Sequence, residues 1–146
     1  MNDEIKLNGH ISIRHIRDGE VIDTREVKNL IVDSGKALII TGLCSGISTQ
    51  FTYIGVGTGT TAAVTGNTTL EIEVPAISRA AITATSSTNV ASFIATWNNV
   101  STSKNITEAG IFNASSSGTM LSRQVFDPVI LAATDSLAIT WTITLN

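Results

Sequence analysis

The chain has 146 residues, a net charge of −3 and a single cysteine, Cys44. That length fits one domain with its own core, and one thiol excludes an intrachain disulfide and fits synthesis in a reducing cytosol. The acidic balance leaves no basic footprint for nucleic acid, no apolar run of about 18 residues predicts a membrane span, and the polar start MNDEIKLNGH has no signal-peptide core.

In chain order, IKLNGHISIRHI alternates with period two. Ile5, Leu7, Ile11 and Ile13 take one face; Lys6, Asn8, His10 and Arg14 take the other. This predicts a half-buried strand. Arg17-Asp18-Gly19-Glu20 holds an Asp-Gly turn, so Val21–Val27 returns as the second strand of a hairpin. Within Asn29–Gly46, Asp33 or Ser34 can cap a short helix that Gly46 ends. Phe51–Val56 reads as a strand running into a Gly/Thr loop. Ile77–Thr85, Val90–Trp97, Ile106–Asn113, Thr119–Phe126 and Asp135–Leu145 follow as strands bounded by turn residues. In the last, Leu137, Ile139, Trp141, Ile143 and Leu145 share one face.

The expected fold is therefore mainly β, an antiparallel β-sandwich or barrel with one short helix and an N-terminal β-hairpin arm. It is a single β domain over residues 1–146, with 1–28 as the hairpin arm and 29–146 as the sandwich core.

Charge is unevenly spread. Residues 1–36 hold 13 of the 21 Asp, Glu, Lys and Arg residues, and the remaining 110 hold eight. A monomer normally covers its surface with more charge than that. Much of the C-terminal surface is therefore expected to face neighbouring subunits, the alternative being a soluble Thr/Ser-rich β surface.

The candidates for chemistry are thin. GVGTGTT (Gly55–Thr61) lacks the lysine of a P-loop and the helix of a dinucleotide fingerprint. It reads as a glycine-rich strand end where another backbone comes close. His10 and His15, five apart on a strand, point to opposite faces and cannot share a metal; both read as surface histidines. Glu71 and Glu73 share a face but have no aromatic groove, so a solvated edge is the better reading. The four Asn-x-Ser/Thr matches carry no weight without a secretory signal. No catalytic residue, cofactor or metal site is expected.

Ile106–Phe126, ITEAGIFNASSSGTMLSRQVF, reads as one hairpin with Ser115–Gly118 at its turn. Glu108 and Arg123 can sit opposite each other on it, in an ion pair worth under about 1 kcal/mol if exposed. Ile111 and Phe112 point to opposite faces, one for the core and one for a neighbour. Gly110 permits close backbone approach.

Three strings in order, NLIVDSGK (Asn29–Lys36), GVGTGTT and ITEAGIFNA (Ile106–Ala114), with Leu70-Glu71, GTMLSR (Gly118–Arg123) and DSLAITWTI (Asp135–Ile143), make residues 28–145 resemble a group of small structural proteins of tailed bacteriophages. The resemblance implies a virion component made in the host cytoplasm, and no enzyme. Its implied role is capsid decoration or cement, bridging major capsid subunits; the alternative is a tail or fibre component, an adaptor or host-contact module. Major capsid protein or other virion proteins are the implied partners, with a homo-oligomer expected and no nucleic-acid or membrane partner. The assembly surface is expected to draw on Ile11, Ile13, Arg14, Arg17 and Arg25 of the hairpin, Tyr53, Thr58 and Thr60 of the glycine-rich stretch, and Glu108, Phe112 and Arg123. A carbohydrate-binding module is the remaining reading, and it needs Trp97 and Trp141 exposed for stacking.

Overall fold

The structure, a computed structural model, describes residues 4–45 and 50–146. Strand β1 (Leu7–Arg17) and strand β2 (Glu20–Ile31) form the expected hairpin. Asp18 and Gly19 at its turn both have positive φ, the conformation that makes Asp-Gly a hairpin signal. Helix α1 (Asp33–Ser45) follows, then β3 (Tyr53–Gly57), β4 (Ala80–Ala81), β5 (Thr83–Ser87), β6 (Val90–Trp97), β7 (Lys104–Phe112), β8 (Met120–Leu131) and β9 (Ser136–Leu145). Gly46, expected to end the helix, lies outside the described residues.

Among the described residues, all nine strands join one antiparallel sheet in the order β4-β3-β7-β8-β2-β1-β9-β6-β5. The two end strands, β4 and β5, are consecutive in sequence with only Ile82 between them. One stretch thus serves both rims and rolls the sheet into a nearly closed barrel. The Ile82 N–H donates to the Thr52 carbonyl at the crossing, 2.8 Å. The single strand expected over Ile77–Thr85 is accordingly split, because its halves pair with different neighbours.

The N-terminal hairpin is built into the middle of the barrel wall. β1 pairs with β9 from Leu7↔Leu145 to Ile16↔Ser136, and β2 reaches β8 only at Leu30↔Arg123 and Ile31↔Ser122. Pairing on both sides turns the Ile11 and Ile13 face inward, against Trp141 and Ile139.

The main core lies between the walls. β1 and β9 give Ile11, Ile13, Leu137, Ile139, Trp141 and Ile143; β3, β7 and β8 give Ile54, Val56, Ile106, Ile111, Val129 and Leu131. Ile106 and Ala109 both face inward although they are an odd number apart, because the β7–β8 register shifts between Ile106 and Glu108. A smaller cluster of Val32, Leu70, Phe112 and Met120 lies on the outer side of the same strands. It is covered by the long connection from Thr58 to Arg79, so β7 is buried on both faces.

Candidate functional site

The residues singled out by sequence do not form one patch. Ile11 and Ile13 are in the core, and Phe112, Glu108 and Arg123 are at most 2% exposed. As direct contacts for a neighbour these five are corrected: β1 is walled by strands on both edges, and the outer face of β7 and β8 lies under the Thr58–Arg79 connection. Arg14 and Thr60 are exposed, and Tyr53, Thr58 and Arg25 are half-buried. Arg17 is exposed but engaged with Asp135. Ile111 and Phe112 do point to opposite faces, yet both are fully buried, one in each cluster.

Glu108 and Arg123 do form the expected pair, in the interior instead of on the surface. Arg123 Nε donates to Glu108 Oε2 at 2.9 Å, with Nη2 2.8 Å from the same oxygen. The carboxylate also accepts three backbone N–H bonds from the overlying connection: Gly59 and Ile72 on Oε1 at 3.0 and 2.8 Å, and Glu71 on Oε2 at 3.0 Å. Arg123 Nη1 donates to Asn67 Oδ1 at 3.0 Å. Glu71 Oε2 is 3.5 Å from Arg123, and the Thr61 N–H and hydroxyl hold the Glu71 carboxyl below its usual range.

The glycines of GVGTGTT are explained here. A Cβ on Gly57 would overlap the Glu108 carboxylate and lie 2.5 Å from the Ile72 carbonyl oxygen; one on Gly59 would lie 2.6 Å from Glu108 Oε1. Close approach is what the glycines permit, as expected from the sequence.

A second latch joins the same connection to the β7–β8 turn. Arg79 makes a two-point pair with Glu73, at 2.7 and 3.0 Å, and donates to the Ala114 and Ser117 carbonyls. Its guanidinium lies 3.5 Å from the Phe112 ring centroid. Glu71 and Glu73, read from sequence as a solvated edge, are each 37% exposed in the side chain while contributing a carboxylate to the two latches.

A third cluster ties β1 to the start of β9. Asp135, fully buried, takes His15 Nε2 at 2.7 Å, Arg17 Nε and Nη2 at 2.9 and 2.8 Å, and the Ala132 N–H at 2.8 Å. His15 is thus interior, correcting the surface reading. Arg17, with His15 and the Ala132 N–H, holds the Asp135 carboxyl well below the usual carboxylate range. A carboxyl depressed on folding stabilises the fold fully above its unfolded pKa, near about 4, and that contribution is lost as pH falls below it. Asp135→Asn is expected to cost about 2 kcal/mol at neutral pH. Its deficit against wild type should shrink between about pH 5 and pH 3, measured by urea unfolding. A deficit independent of pH would assign the effect to packing alone.

No protein-family model matches this sequence, and no curated protein sequence does. Function must therefore be read from the chain itself. Among the described residues no three His, Cys, Asp or Glu side chains gather as a metal site. Trp141 is fully buried, and Trp97 is 9% exposed with its indole N–H donating to the Ser78 carbonyl at 2.8 Å, so neither offers a stacking platform for a sugar.

The outer surface is where the unusual features lie. Of the eight charged residues after Lys36, six (Glu71, Glu73, Arg79, Glu108, Arg123 and Asp135) are tied into the three internal clusters. Helix α1 (DSGKALIITGLCS) buries only Gly35 fully, and its Ile40 is 60% and Leu43 79% exposed. Large apolar side chains exposed next to each other are a feature that marks many interaction surfaces.

Proposed function

We propose that the chain is a structural protein of a tailed-bacteriophage virion, acting as a capsid decoration or cement subunit that binds the major capsid lattice. The observation that supports this most is how the resembling strings are used. In ITEAGIFNA, Ile106, Ala109 and Ile111 fill the core, and Thr107 Oγ1 donates to the Gly59 carbonyl at 2.7 Å. Glu108 holds the overlying connection, Phe112 fills the outer cluster, and Asn113 closes the β7–β8 turn on Thr119. NLIVDSGK is docked on β8 through Asn29 to the Ser122 hydroxyl, Val32 to the Leu121 carbonyl and Ser34 to the Met120 carbonyl. Most residues of these strings are taken up by packing and hydrogen bonding within the fold, with Asp33 and Lys36 left exposed at the start of the helix. Such a chain works through its shape and surface, as a lattice subunit does, where modest contacts repeated over many copies give avidity.

A tail or fibre component is the second reading, since the same strings suit either place. Immunogold electron microscopy of intact virions, with antibody against this chain, separates them. Label spread evenly over the head is the expected result. Label confined to the tail or its tip would replace cement with the tail reading, and unlabelled virions that contain none of the chain by mass spectrometry would overturn both.

A further inference from the structure

The long edge of β2 is open. From Glu20 to Asn29 it pairs with β1 on one side, with Ile22 skipped in the register as a bulge, while β8 meets it only at Leu30 and Ile31 and then diverges. The gap is a groove of about 500 Å³ lined by Asp23, Arg25, Glu26, Val27, Phe126 and Asp127. An exposed strand edge of this length is a template for another strand. Its Val21 and Ile22 are each about half exposed.

We infer that two copies of this chain pair edge to edge through β2, antiparallel about a two-fold axis at Thr24. The charges select that register. In a two-fold antiparallel pair, facing residues lie symmetrically about the central one. Centring on Asp23, Arg25 or Glu26 sets a charge against its own copy. Centring on Val27 drives the partner strand into β8 at Leu30, and centring on Val21 or Ile22 puts the axis at the bulge beside the turn and shortens the overlap. Centring on Thr24 places a neutral residue on the axis, sets Asp23 against Arg25 twice, and ends the overlap before β8 closes the edge. Asp23 and Arg25 are on the same face and already pair within the subunit, Nε to Oδ2 at 2.9 Å; Arg25 Nη1 donates to the Asp127 carbonyl. Among the described residues this leaves Arg25 Nη2 and Asp23 Oδ1 for the partner, so four charges form one closed set. The end strand β5 has the sequence TATSS and no charge to fix a register. This pairing stands apart from the virion role: a monomer in solution would leave that role open, and absence from virions would leave the dimer.

The test is sedimentation of the full chain with Asp23→Arg, Arg25→Asp and an equal mixture of the two. Wild type is expected to dimerise with rising concentration. Each reversal sets like charges opposite each other twice and should weaken dimerisation about tenfold or more. The mixture should restore it, because a heterodimer places two arginines against two aspartates while each chain's own 23–25 pair remains repulsive. That rescue separates contact between chains from damage within one. A wild-type chain that stays monomeric, dimers indifferent to both reversals, or a mixture that fails to reassociate would overturn the pairing. Should either variant fail to fold, hydrogen exchange on wild type decides: the amides within Ile22–Glu26 that point away from β1 must gain protection as concentration rises, and unchanged protection at all of them overturns it.

Discussion

Replacing Glu108 by alanine is expected to cost about 3–5 kcal/mol of folding stability, a large share of the roughly 5–15 kcal/mol a domain has. The loss has two parts. Arg123, 2% exposed, is left in the interior with the neutral Asn67 amide oxygen at 3.0 Å and, as its charged partner, the partly exposed Glu71 carboxylate 3.5 Å away. The N–H groups of Gly59, Glu71 and Ile72 lose their acceptor together. An exposed pair would cost under about 1 kcal/mol, so urea unfolding distinguishes the two cases plainly.

The parts can be separated. Replacing both partners with apolar residues of similar volume, Glu108→Leu with Arg123→Met, removes the stranded charge and should recover a good fraction of the loss. It cannot give the three N–H groups an acceptor, and they must turn to water. The double variant should therefore unfold globally near wild type yet exchange amide hydrogens quickly over residues 58–73. Full recovery of both measures would reduce Glu108 to a filler of space.

Much of the fold was legible because it is local. The Asp-Gly turn, the regular alternation of β9 and the Ser/Gly turn of the β7–β8 hairpin each state their own conformation, and each is present. The barrel's closure was not legible, because it depends on which partners the two halves of Ala80–Ser87 find. Of the polar interior, only Glu108–Arg123 was visible, since both sit on one hairpin. His15 and Arg17 find Asp135 across about 120 positions of chain, and no local period marks that distance. Their two-residue spacing on one strand face was the only signal that they act together. Arg79 had no signal at all: its partners are a carboxylate six residues away, two turn carbonyls and a ring on another strand. Glu108, Phe112 and Arg123 are interior for one shared reason. A strand's two faces are visible in sequence, but what covers the second face is not.

Phe112 tests that covering directly. Phe112→Ala is expected to cost about 3–5 kcal/mol, the range for truncating a fully buried aromatic ring. Its surroundings decide where in the range it falls. The outer cluster has only Val32, Leu70 and Met120 beside it, with Arg79 stacked across the ring. The connection above could sink into the space, which favours the lower end; loss of the Arg79 contact adds roughly 0.5–2 kcal/mol back. Ile111→Ala, one residue away but inside the barrel, should cost about 2–5 kcal/mol by cavity formation alone. The two differ in where the damage appears. Phe112→Ala should speed hydrogen exchange around Leu70 well before global unfolding, because the ring packs against Leu70, whereas Val74 and Ile77 are anchored in the main core. Ile111→Ala should lower the global limit and leave the relative protection around Leu70 unchanged. A Phe112→Ala loss below about 1 kcal/mol would mean that the connection does not cover the ring in solution. The outer face of β7 would then be open to a neighbour after all.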